Sequence, residues 1–271
     1  MLDAVLSLGI SGLVIGILLA VAAEKFKVEI NPKIPEIQSV LPGANCGACG
    51  FPGCAGLAAA IVEGSAAITA CKVGGSAVAE KISGIMGVTA NSMEPQVAVV
   101  YCQGDCDLAT IAADYEGVTE CRAANALGGT KTCSYSCLGL GSCARACPFD
   151  ALHMNDKGIP VVDREKCTGC GICVKTCPRN IIGLVDESKE VHILCRSYDR
   201  GPVVRKNCKI GCIACQACVK ACPQKCISMD KGTLAKIDYS LCDNCHVCVS
   251  KCPVKTIASY AGSEKAVGAA S

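Results

Sequence analysis

Residues 207–227, NCKIGCIACQACVKACPQKCI, and 238–257, DYSLCDNCHVCVSKCPVKTI, hold two cysteine quartets with one spacing, C-x2-C-x2-C-x3-C-P. They are Cys212, Cys215, Cys218 and Cys222, then Cys242, Cys245, Cys248 and Cys252. Two residues between successive thiolates let one tight loop wrap three corners of a four-iron cubane. The fourth cysteine, followed by proline, reaches the neighbouring cluster. The pair therefore predicts a two-cluster ferredoxin-like unit, with one cluster on Cys212, Cys215, Cys218 and Cys252 and the other on Cys242, Cys245, Cys248 and Cys222. Zinc favours paired C-x2-C knuckles separated by longer stretches, which these quartets do not follow.

The arrangement has a tandem copy upstream, TCSYSCLGLGSCARACPFDAL at 132–152 and DREKCTGCGICVKTCPRNII at 163–182. Even the preceding runs correspond, VVYC ending at Cys102 and HILC ending at Cys195. Cys167, Cys170, Cys173 and Cys177 keep the full spacing, but Leu140 stands where the first block should have its second cysteine. Cys133 is the nearest substitute. The expected clusters are then Cys133, Cys137, Cys143 and Cys177, and Cys167, Cys170, Cys173 and Cys147. A three-iron cluster is the alternative if Cys133 does not ligate, since a missing ligand often costs one iron.

Nearer the N-terminus, Cys46, Cys49, Cys54 and Cys71 are spaced C-x2-C-x4-C-x16-C, four thiolates suited to another four-iron cluster. Gly47, Gly50 and Gly53 permit the tight loop, and a helix is expected after Pro52. Of the remaining cysteines, Cys102, Cys106 and Cys121 read as three ligands of a sixth cluster. Its fourth ligand is open among Cys133, Cys195 and Cys208. Cys226 reads as a small buried thiol. The cofactor expectation is thus five to six [4Fe-4S] clusters, one of which could be [3Fe-4S].

Composition agrees. Cysteine supplies 26 of 271 residues, with no Trp and nine aromatics, which ordinary core building does not explain. The net charge of +2 and few aromatics exclude an overall basic nucleic-acid binder. No glycine-rich nucleotide fingerprint or P-loop is present, so the chain has no nucleotide site of its own. His153, His192 and His246 are not expected to ligate.

The run from Ala4 to Ala23, AVLSLGISGLVIGILLAVAA, is uncharged and about 30 Å long as a helix, which predicts a single transmembrane span. Lys25, Lys27 and Lys33 follow it, so the positive-inside rule places the C-terminal bulk in the cytoplasm. The fold class is α+β: one N-terminal transmembrane helix, a small helical four-iron cluster domain, and tandem ferredoxin-like two-cluster domains. The expected boundaries are an anchor at 1–27, an extended linker at 28–42, an N-terminal iron–sulfur domain at 43–95 and a Cys-containing connecting segment at 96–132. Ferredoxin-like domains at 133–190 and 191–260 follow, then a disordered tail at 261–271.

The uncharged span, LPGANCGACGFPGC with its distant Cys71, and the CP-terminated quartets together resemble the B subunit of the Rnf complex, a membrane-bound ferredoxin:NAD oxidoreductase. The second ferredoxin-like repeat and YCQGDC look like the long, clostridial-type version. The resemblance implies an iron–sulfur subunit that takes electrons from reduced ferredoxin and passes them to membrane, flavin-binding and NAD-binding subunits of an ion-translocating complex at the cell membrane. An anchored polyferredoxin serving a hydrogenase or another redox enzyme is the alternative. Charge is distributed to suit an acidic donor: from Arg200 to Lys255 there are ten Lys or Arg against three Asp, while Glu94 to Glu120 holds six acidic residues and no basic one.

Overall fold

The structure, a computed structural model, describes residues 2–25, 31–89 and 94–260. Helix α1 (Leu2–Lys25) carries no charge between Asp3 and Glu24. Large apolar side chains along it, among them Leu6, Leu13, Leu18 and Val21, stand exposed. Among the described residues no helix is long and apolar enough to cross a membrane. The described residues thus do not show the span expected over 4–23.

The expected linker is corrected in its second half. Lys33–Val40 form helix α2, with Pro35 in the first turn, where a missing N–H costs no helical bond. Ile34, Ile37 and Leu41 recur at helical spacing, and Ile37 is wholly buried against Leu57 and Ile61 of α3 (Gly53–Val62) and Ile82 of α4 (Gly75–Met86). Burying that side chain stabilises by about 2 kcal/mol, enough to draw a proline-rich segment out of extended conformation. Residues 28–30 and the expected tail 261–271 lie outside the described residues.

Two units of one design follow. The first contains β1 (Gln96–Val100), α5 (Cys121–Ala126), α6 (Ser142–Arg145), β2 (Leu152–Met154), β3 (Pro160–Val162), α7 (Ile172–Thr176) and β4 (Ile182–Asp186). The second contains β5 (Val191–Ile193), α8 (Gly201–Asn207), α9 (Ala217–Ala221), β6 (Ile227–Asp230), β7 (Leu234–Ile237), α10 (Val247–Lys251) and β8 (Ile257–Ser259). In each, the first strand pairs antiparallel with the last, β1 with β4 and β5 with β8, around a central hairpin, β2–β3 or β6–β7. The first unit therefore begins at β1, not at residue 133. The segment expected to connect two domains is part of it.

Strand β1 is buried on both faces, and its alternation shows why. Ala98 and Val100 point into the first unit's cysteine-rich core, while Val97 and Val99 pack with Val185, Leu194 and Ala258, joining the two outer sheets. In every quartet loop the second position is flanked by residues of positive φ: Gly139 and Gly141, Gly169 and Gly171, Ala214 and Gln216, Asn244 and His246. This left-handed turn aims successive backbone N–H groups into the loop, a concavity suited to an anionic group.

Gly169 is constrained twice. Its φ is +63°, and an added Cβ would run into the Gln96 carbonyl oxygen of β1. Gly169→Ala is expected to cost about 3 kcal/mol, combining strained backbone and overpacking. Gly158→Ala, at φ +74° with open space around it, should cost only the backbone part. Guanidinium midpoints followed by visible cluster absorbance check this, and equal midpoints would show that the Gln96 contact is without effect.

Candidate iron–sulfur cluster sites

Among the described residues no three His, Cys, Asp or Glu side chains close on a single metal ion. The cysteines instead line separate cavities. In the second unit, Cys212, Cys215 and Cys218 share one with Cys252, which arrives from the other quartet. Cys242, Cys245 and Cys248 share the next with Cys222, and Cys226 also lines it. In the first unit Cys167, Cys170 and Cys173 meet Cys147. The structure thus places the fourth cysteine of each quartet with its neighbour's first three. The short helices α7, α9 and α10 each start just before the third cysteine and end just before the fourth. One helical turn therefore carries the chain from one cavity to the next.

The irregular block is assembled differently from expectation. Cys137, Cys143 and Cys177 line a cavity with Cys121, not with Cys133. Cys121 opens α5, and its backbone N–H donates to Ser142 Oγ at 2.9 Å, while Ser142 Oγ donates to Glu120 Oε2 at 3.1 Å. Arg145 ties the same loop to α6 by donating to the Thr119 carbonyl and pairing with Glu120 at 3.4 Å. Leu140 leaves the lining and packs beside Cys121, Leu138 and Tyr115.

Cys102, Cys106 and Cys121 therefore do not form the group expected of them. Cys106 is exposed and donates to Asp107 Oδ1 at 3.8 Å, while Cys102 lines a cavity together with Cys133, Cys195 and Cys208. Nothing in the spacing reveals this, because the four come from both units and only folding joins them. Cys226 is buried, as expected, and its sulfur lies 3.4 Å from that of Cys222.

At the N-terminal domain, burial pushes the Cys71 thiol up, and the proximity of Cys54, Cys49 and Cys46 raises it further. Cys49, Cys54 and Cys71 pack against the same core as α3, with Cys54 in its first turn. Asn45 Oδ1 accepts the Cys54 N–H at 2.8 Å, and any Cβ on Gly53 would sit 2.8 Å from that same oxygen. The domain faces the first unit: Cys46 is among the neighbours that raise the Cys170 thiol, after burial, Cys147 and Cys167, and Lys175 Nζ donates to the Ala48 carbonyl at 3.5 Å.

Free thiols are poorly suited to these cavities as anions. Burial foremost pushes Cys137, Cys173 and Cys248 up to about 12 and Cys143 and Cys218 to about 11, with neighbouring cysteines adding repulsion. A group bearing several positive metal centres reverses that balance by making thiolates the favoured form. All-cysteine donor sets gathered around shared cavities fit [4Fe-4S] clusters.

Comparison with known proteins gives the same chemistry. A family described as "Putative Fe-S cluster" matches residues 41–73, a 4Fe-4S binding domain 160–183, and a 4Fe-4S dicluster domain 211–256. The chain is 49% identical to the B subunit of the Na(+)-translocating ferredoxin:NAD(+) oxidoreductase complex of Acetobacterium woodii, over 87% of this chain and 71% of that protein. It is 45% identical to the B subunit of the ion-translocating oxidoreductase complex of Methanosarcina acetivorans, over 74% and 77%. The B subunit of the proton-translocating ferredoxin:NAD(+) oxidoreductase complex of Clostridium ljungdahlii matches at 46% identity, over 86% and 82%.

Proposed function

The chain belongs to the family of Rnf complex B subunits, and from that premise we propose that it collects electrons from reduced ferredoxin at its second ferredoxin-like unit and delivers them through its N-terminal domain to partner subunits at a membrane. The clusters, when bound, supply one-electron carriers. The protein supplies their adjacency, and that adjacency carries the proposal. The Cys242, Cys245, Cys248 and Cys222 set adjoins the Cys212, Cys215, Cys218 and Cys252 set through the exchanged fourth cysteines. The Cys121, Cys137, Cys143 and Cys177 set and the Cys167, Cys170, Cys173 and Cys147 set adjoin in the same way. The latter meets the Cys46 to Cys71 loop through Cys170 and Lys175.

Exposure gives the arrangement a direction. Cys215 and Cys245, the second cysteines of the second unit's quartets, are exposed, while the corresponding Cys170 is half-buried where the N-terminal domain faces it. A soluble donor has access to the former. The N-terminal domain follows α1, whose exposed apolar side chains are suited to lipid or to a partner's membrane helices. We place α1 in the membrane as a single span with the cluster units on the cytoplasmic side. The coupling ion and the flavin and NAD sites belong to other subunits. The names of the relatives, subunits of ferredoxin:NAD oxidoreductases, favour this reading over a hydrogenase-serving polyferredoxin.

The test uses the full chain purified anaerobically. Reduced ferredoxin should bleach its visible iron–sulfur absorbance, and deletion of residues 2–25 should move the protein from the membrane fraction to the supernatant without loss of iron. Bleaching by dithionite but not by reduced ferredoxin would remove ferredoxin as the donor. Retention of the shortened chain on membranes would remove α1 as the anchor.

A further inference from the structure

We infer that Cys102, Cys133, Cys195 and Cys208 hold an iron–sulfur cluster of their own at the junction of the two ferredoxin-like units, joining two cluster pairs into one conductor. The inference rests on the iron–sulfur reading above and goes beyond it by assigning a site that no quartet contains. The four cysteines line one cavity. Two come from each unit, and they are related by the internal repeat. Cys102 follows β1 as Cys195 follows β5, and Cys133 precedes Cys137 by four residues as Cys208 precedes Cys212.

Two of the sulfurs accept backbone hydrogen bonds, Cys102 Sγ from the N–H of Cys137 at 3.4 Å and Cys195 Sγ from that of Ser197 at 3.5 Å. Backbone donors of this kind stabilise a cluster-bound thiolate.

Charge points the same way. Arg196 lines the cavity with its guanidinium 4.1 Å from the Tyr101 ring centroid, and its Nε is buried without a hydrogen-bond partner. Lys131 is buried nearby, its Nζ donating to the Gly104 carbonyl at 2.6 Å. Asp199 lines the same cavity, so Arg196 and Lys131 leave one net positive charge to offset the net charge, on the order of −2, of a four-iron cluster with four thiolates. Gly104 keeps the cavity open, because a Cβ there would stand 3.3 Å from Cys208 Sγ.

The placement closes a gap. Cys137 lines the irregular cavity of the first unit, and Cys212 a cavity of the second. The Cys137 N–H donates to Cys102 Sγ on one side, and Cys212 is among the neighbours acting on the Cys195 thiol on the other, so the new site adjoins a ligand residue of each unit.

The test is iron, acid-labile sulfide and zinc per full chain after anaerobic purification, for the wild type, a Cys102→Ser/Cys208→Ser variant and a Cys106→Ser control. Wild type and control should each carry about 24 iron, and the double variant about 20, with sulfide falling in parallel. A wild type with about 20 iron, unchanged in the double variant, would overturn this site while leaving the other five clusters standing. About 20 iron with one zinc that the double variant loses would also overturn it. A wild type without iron or sulfide would instead overturn the underlying iron–sulfur reading. Should the double variant fail to fold, the wild-type stoichiometry still decides, and Cys133→Ser gives a second readout. That variant should show a three-iron signal by electron paramagnetic resonance in the oxidised state, and its absence with full iron would count against the site.

Discussion

Cys121→Ser is expected to strip the irregular cluster of one to all of its irons, about 1 to 4 of the chain's total, and Leu140→Cys added to it should restore them. The argument is geometric. Leu140 stands between Gly139 at φ +77° and Gly141 at φ +68°. The corresponding Cys215 stands between Ala214 at +57° and Gln216 at +61°. The loop has kept the left-handed turn that presents a second ligand while losing the ligand itself, and Cys121 reaches in from α5 to line the cavity. Leu140 and Cys121 pack in the same small core, so exchanging one ligand for the other is a local change. Iron analysis of Cys121→Ser, the double variant and Cys133→Ser distinguishes this assembly from the one the spacing suggests. If Cys121→Ser kept full iron, and Cys133→Ser alone produced the three-iron signal of that cluster, the assignment would fail.

Much of the molecule was legible from spacing because cluster ligation is a local constraint. Quartets of the form C-x2-C-x2-C-x3-C-P carry their loop, their short helix and the exchange of fourth cysteines in a few residues each. The tandem repeat was legible for the same reason, down to the strands that precede Cys102 and Cys195. What could not be read was anything set by packing between distant segments. Cys102, Cys106 and Cys121 looked like one group because they are neighbours in sequence. The fold separates them by pairing β1 with β4, which places Cys102 at the junction of the units. The loop that precedes α5 is carried to Ser142 and Arg145, and leaves Cys106 at the surface. The linker failed for a related reason. Three prolines within 28–42 outweighed the stripe of Ile34, Ile37 and Leu41, whose partners on α3 and α4 are not visible in a short window.

Reversing the charge of Lys220, Lys225 and Lys251 together should slow reduction by ferredoxin about 10- to 1,000-fold at low ionic strength. All three side chains are exposed. Lys220 and Lys251 sit in the last turns of α9 and α10, and Lys225 three residues beyond Cys222. They surround the unit in which Cys215 and Cys245 are exposed, so a negatively charged donor drawn to them arrives where clusters are nearest the surface. The competing role for these lysines is to offset the negative charge of the clusters, and the salt dependence separates the two. Steering acts over a Debye length of about 10 Å at 0.1 M salt and about 3 Å at 1 M. The variant's deficit should therefore shrink as salt is raised, with iron content unchanged. A deficit that persisted at 1 M salt alongside shifted cluster potentials would assign the lysines to the clusters. An unchanged rate at low salt would place the donor's docking surface elsewhere on the chain.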